Sequence, residues 1–135
     1  MKYQILIGLI LTSFIWSSCK GPRNNDNHGT SGKKTEVVFN EKKHDFGKIS
    51  RGEVLCYAFK YKNTGKENLI IKSIETDCGC TIVDYNKKPL AAGQERKLEI
   101  SFNSTGKYGS IYKEIRIFAN TADSPIKLYI SAEVK

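Results

Sequence analysis

From residue 53 the chain alternates. Leu55, Tyr57, Phe59 and Tyr61 fall on one side of an extended segment, and Val54, Cys56, Ala58, Lys60 and Lys62 fall on the other. A period of two is what a half-buried strand requires, because successive side chains point to opposite faces. Asn63-Thr64-Gly65-Lys66 supplies turn chemistry, and Leu69-Ile70-Ile71-Lys72-Ser73-Ile74 reads as the next strand. Further on, Leu98, Ile100 and Phe102 alternate with Lys97, Glu99 and Ser101. Ile111, Ile115, Ile117 and Ala119 share a side that only Lys113 interrupts, and Ile126, Leu128, Ile130, Ala132 and Val134 form a last apolar face. Short segments at Val37 to Phe39, Phe46 to Ile49 and Thr81 to Asp84 bring the total to seven or eight strands, with no helical periodicity. The pattern predicts an all-β fold, a single Ig-like antiparallel β-sandwich over residues 35 to 135.

The last two strands are predicted to pair as a hairpin about Asn120-Thr121-Ala122-Asp123-Ser124-Pro125. A register centred on that loop sets Arg116 opposite Tyr129 and Phe118 opposite Lys127, so that each aromatic ring faces a cation. Tyr112, Phe118 and Tyr129 then lie on the outward face as a candidate surface for a protein partner.

Ahead of the strands the pattern changes. Lys2 precedes an apolar run of 12 residues, Ile5 to Trp16, which ends in Ser17-Ser18-Cys19. As a helix that run reaches about 18 Å against a hydrocarbon core of about 30 Å, so residues 1 to 18 read as an export signal and not a membrane span. Small residues before a cysteine resemble a bacterial lipobox, which makes Cys19 the candidate lipidation site and the lipid the contact with the membrane. Residues 19 to 34 lack apolar periodicity and read as a flexible tether with a root-mean-square span of about 20–24 Å. The expected location is the bacterial cell envelope, with the membrane and the face it occupies left open.

The remaining chain, about 100 residues, suits one small sandwich and excludes a two-domain, Rossmann or barrel enzyme. The formal charge is +8, and part of it lies in the tether, where Lys20, Arg23, Lys33 and Lys34 face only Asp26. The basic residues form no stripe with interleaved aromatics, which argues against nucleic acid as a partner.

Two strings carry the chemistry. In His44-Asp45-Phe46-Gly47, the phenyl ring is predicted to plug the core, Gly47 to permit a bend and Asp45 to cap nearby N–H groups. A His–Asp dyad is disfavoured because strand neighbours point apart. In Cys78-Gly79-Cys80, one intervening residue sends both thiols to the same side of a strand, where they serve packing, a disulfide, a soft metal ion or thiol redox chemistry. Extended Cα atoms two residues apart lie about 6.5–7 Å from each other, so a Cys78–Cys80 bond needs a bend, which Gly79 tolerates. A link from Cys56 to one of the pair is the competing scheme. His44, Asp45 and Asp77 are the candidate neighbours of this site, any metal stays unassigned, and no cofactor is implied. Asn103-Ser104-Thr105 matches a glycosylation sequon, which carries no weight behind a bacterial signal.

Taken in order, His44-Asp45-Phe46-Gly47, Asn63-Thr64-Gly65, Cys78-Gly79-Cys80-Thr81 and the later Gly93, Gly109 and Asn120 resemble domain-of-unknown-function family 1573 over most of residues 37 to 134. The resemblance implies an exported, often lipidated bacterial protein with an Ig-like domain related to cilia-associated and sperm-protein-like sandwiches, and no established activity. Cys56 is not part of the shared motif, so the resemblance carries over no disulfide pairing. The reading that results is a lipid-anchored binding or assembly module, with a metal-binding or thiol-redox protein centred on Cys78 and Cys80 as the alternative.

Overall fold

A computed structural model describes residues 32–135. The expected export signal, the candidate lipidation site Cys19 and the expected tether as far as residue 31 lie outside the described residues. Eight strands follow in order: β1 (Val37–Phe39), β2 (Lys43–Ile49), β3 (Val54–Asn63), β4 (Ile71–Thr76), β5 (Thr81–Tyr85), β6 (Glu95–Asn103), β7 (Gly109–Ala119) and β8 (Ile126–Val134). They form two four-stranded sheets, β1-β3-β6-β5 and β2-β8-β7-β4.

The alternation explains why the sheets close on each other. In the β3–β6 pair Leu55 lies opposite Phe102, Tyr57 opposite Ile100 and Phe59 opposite Leu98. In the β7–β8 pair Ile111 faces Ala132, Ile115 faces Leu128 and Ile117 faces Ile126. Each sheet thereby gains one continuous apolar face, and the two faces bury one core. Lys113 keeps its place on the inward side of β7, opposite Ile130, and stays half-buried.

One pairing departs from the antiparallel rule. The chain runs β1 along β3, then crosses to the other sheet, where β2 lies parallel to β8. The two short segments at the start of the domain therefore edge opposite sheets.

A buried polar hub locks these edges. The Asn63 side chain is fully buried, with its Oδ1 accepting from the Thr35 hydroxyl (2.8 Å) and the Gly65 N–H (3.1 Å). Its Nδ2 donates to the carbonyls of Glu67 (2.7 Å) and Leu90 (2.9 Å). The string Asn63-Thr64-Gly65 is thus more than a turn signal. At Gly65 a Cβ would stand 2.5 Å from the Glu36 backbone nitrogen, so only glycine lets the strand end pass this close. Asn120 does similar work at the opposite sheet: it accepts the Ile70 N–H (2.7 Å) and donates to the carbonyls of Lys33 (3.0 Å) and Asn68 (2.8 Å).

Two expectations are corrected here. The strand expected from Leu69 begins only at Ile71, because Leu69 exchanges both backbone hydrogen bonds with Leu90 (2.9 Å each). The hairpin register is shifted by two residues, so that Arg116 lies opposite Lys127 and Glu114 opposite Tyr129. Beyond Ile117, β7 is drawn off β8. The Ala119 N–H donates to Ser124 Oγ (3.1 Å), the Asn120 N–H to Ile70 O (3.2 Å), and Thr121 bridges Thr35. A shift of two keeps every side chain on its face, so the core reading survives while the cation–aromatic pairs do not form.

Candidate functional site

The outward face of the β2-β8-β7-β4 sheet is built from every second residue of its strands. Tyr112 on β7 and Tyr129 on β8 stack there, ring centroids 5.3 Å apart and planes 23° from parallel. Tyr112 is 56% exposed. Phe118 shares the face but stands six residues along β7, about 20 Å away, opposite Ser73 of β4. The structure thus brings two of the three candidate surface aromatics together and leaves the third apart.

Charged groups frame the tyrosines. Lys127 Nζ donates to Glu114 Oε2 (3.1 Å), and Arg116 reaches Glu114 (3.4 Å), Asp77 (3.3 Å) and Glu75 (3.4 Å). Glu114 is the acceptor that separates two cations lying directly across the strands. On the other side, Asp45, Lys48, Ser110, Ser131 and Glu133 line a shallow cavity of about 500 Å³ beside Tyr112, and Ser110 donates to Glu133 (2.7 Å).

The hydrogen bond from Lys127 holds the Glu114 carboxyl below its ordinary value of 4.5, and Arg116 and Tyr129 act in the same direction. A depressed folded value means that the contribution of Glu114 is present above pH 4.5 and is lost as pH falls through that folded value. Glu114→Gln should therefore flatten the loss of melting temperature between about pH 5 and about pH 3. Parallel acid limbs for variant and wild type would contradict this linkage. Tyr129 is pushed up, chiefly by desolvation and then by its bond to Glu114, so it stays a neutral phenol at physiological pH.

His44 belongs to a different environment. Its ring lies flat on Tyr57 (3.5 Å between centroids, 9°) and meets the edge of Phe46 (4.8 Å). Tyr57 in turn packs edge-on against Phe59 (5.0 Å) and donates its hydroxyl to Glu41. The histidine is thus a packing ring that bridges the two sheets at their β2 edge. Asp45 turns outward, and its Oδ1 accepts the N–H of Gly47 (3.0 Å), whose φ of 69° lets β2 bulge. The Gly47 N–H, followed by the Ser131 hydroxyl, holds the Asp45 carboxyl low.

Cys78 and Cys80 are joined, their Cα atoms 5.2 Å apart. They occupy the turn between β4 and β5, not a strand, and this supplies the bend that the bond needs. Cys56 is free and exposed on β3. Two interstrand spacings, about 9.6 Å, separate β3 from β5 across β6, which is too far for the competing cross-link.

The candidate neighbours do not gather round the pair. His44 is on β2 and the cysteines follow β4, at opposite edges of one sheet and about 14 Å apart. Asp77 is committed to the Glu114 N–H (3.1 Å) and Arg116. Among the described residues no three His, Cys, Asp or Glu side chains converge as a metal site would require.

What does border Cys80 is a group not singled out beforehand: Val54, Ile82, Asn103 and Lys107. The one available signal was an apolar residue on an outward-facing position, as at Val54.

Comparison with known structures places the fold. A crystal structure of a protein of unknown function from Porphyromonas gingivalis is similar, with a TM-score of 0.65 and 20% identity over 75% of this chain and 47% of that one. The ASH / PapD-like domain 7 of human CEP192 matches with a TM-score of 0.62 and 12% identity, over 76% of this chain and 87% of that one. The secreted serine protease VesC of Vibrio cholerae gives 0.59 and 16%, over 74% of this chain and 23% of that one. The chain thus spans about half of the Porphyromonas protein and about a quarter of the protease. At these identities the likeness is one of fold, a PapD-like and Ig-like β-sandwich. Among curated proteins none matches in sequence. Residues 37–134 match the family described as "Protein of unknown function (DUF1573)", and the chain belongs to that family.

Proposed function

We propose that the chain is an exported, lipid-anchored protein of the bacterial cell envelope that works as a binding or assembly module and not as an enzyme. The observation that carries the binding reading is the stacked, solvent-facing pair Tyr112 and Tyr129. A large ring left 56% exposed contributes little to the core, whereas tyrosine is among the side chains that contribute most at protein interfaces. On one side of the tyrosines Arg116 and Lys127 are already paired with Glu75, Asp77 and Glu114, which suits a rim that excludes water around a central aromatic contact. The partner is a protein of the envelope, and the lipid on Cys19 keeps the module at the membrane.

Anchoring is tested directly. Cys19→Ala should move the protein from the membrane pellet to the soluble envelope fraction, since one diacyl or triacyl anchor holds far more tightly than a single short chain. Sedimentation of the variant with membranes after a high-salt wash would rule out this residue as the anchor.

A further inference from the structure

The outward face of the other sheet carries a second feature. Val54 and Ile82 are 59% and 67% exposed, and both border the turn that holds the Cys78–Cys80 disulfide. The Asn103 N–H donates to Cys80 O (2.9 Å), which extends the β6–β5 ladder one residue past the Phe102–Thr81 pair. Cys80 borders the same cavity as Ile82 and also packs in part against the core. The cavity, of about 250 Å³, is lined by Val54, Gly79, Cys80, Ile82 and Lys107 among others, while Cys78 does not line it. Cys80 is half-buried, and the exposed Gly79 beside it adds no side chain to the cavity wall.

We propose that this is a thiol–disulfide exchange site, at which Cys80 Sγ is attacked by a cysteine thiolate carried on an extended apolar segment of a second protein. The thiolate is the nucleophile in such exchange, and Lys107, which lines the cavity, brings a positive charge that favours the approach of an anion. Val54 and Ile82 supply the apolar surface over which the flanking residues of that segment lie.

The step balances without an external oxidant. The incoming sulfur bonds to Cys80 Sγ, the Cys78–Cys80 bond breaks, and its electron pair leaves on Cys78 Sγ, which takes a proton from solvent. A second thiol of the substrate, as thiolate, then attacks the substrate sulfur of the mixed disulfide and releases Cys80, which is protonated in turn. The substrate dithiol becomes a disulfide, and Cys78 and Cys80 become thiols. Cys56, two strands away, is too distant to intervene within the chain.

The test uses the full lipidated chain in detergent, carrying Cys56→Ser and isolated with the pair oxidised. Two peptides of equal length are offered, each with one cysteine, flanked by valine and leucine in one and by serine and glycine in the other. Reactions are quenched by alkylation and mapped by mass spectrometry. The expected product is a mixed disulfide on Cys80 with Cys78 alkylated, formed about tenfold faster with the apolar peptide. Ile82→Glu, at an exposed position that leaves the core untouched, should abolish the preference while 2-mercaptoethanol still reacts. An adduct on Cys78, equal rates for the two peptides, a preference that survives Ile82→Glu, or no adduct at all would overturn the proposal.

Discussion

Phe59→Ala is expected to destabilise the domain by about 3–5 kcal/mol, the range for deleting a fully buried ring. Phe59 has no exposed surface; it lies opposite Leu98 and takes the edge of Tyr57. Its loss opens a cavity between two sheets whose strands are tied on both sides, so the walls have little freedom to collapse. Against a total stability of about 5–15 kcal/mol for such domains, the change should lower the denaturation midpoint markedly. Lys97→Ala, on the outward side of β6 and facing Lys60, should stay within about 0.5 kcal/mol. Equal losses in urea unfolding would overturn the assignment of faces.

Asn63→Ala should cost as much, about 3–5 kcal/mol, although it removes no apolar contact. The substitution strands the Thr35 hydroxyl and the Glu67 carbonyl, and it leaves the Gly65 N–H and the Leu90 carbonyl with only their backbone partners, Glu36 O and the Leu69 N–H. Each buried group left without a partner costs about 1–3 kcal/mol, and water that enters the vacated space recovers part of the sum. Asn63→Asp keeps both bonds to Oδ1 but sets an acceptor against two carbonyl oxygens, so it should be no milder. Asn86→Ala, which removes one exposed cap on the Lys88 N–H, should stay within about 0.5–1 kcal/mol. If Asn63→Asp folded as stably as wild type, the hub would owe nothing to its hydrogen bonds.

The contrast between these two residues shows what the sequence could tell. Phe59 declares its face through its own neighbours at i±2, and the same local signal placed the inward residues of β3, β6, β7 and β8. Asn63 is decided by Thr35 and Leu90, 28 and 27 residues away, and no local pattern reports that. The hairpin register was hidden for the same reason, since Thr35, Ile70 and Ser124 draw Ala119 to Thr121 off β8. So was the crossing of β1 and β2 between sheets, because two short extended segments read alike whichever sheet they edge. At the candidate sites, the aromatics and cysteines could be named from residue type and spacing alone. Their company could not, because the nearness of Lys107 and Val54 to Cys80 depends on how β3, β6 and β5 align.

The central claim is that the tyrosine face holds a partner, and crosslinking in intact cells tests it most directly. A photoreactive side chain in place of Tyr112 should give one discrete adduct that the same group at Lys97, on the outward face of the opposite sheet, does not. The adduct should vanish when Tyr129→Ala is added. The same adducts from both positions, or none from position 112, would contradict the account.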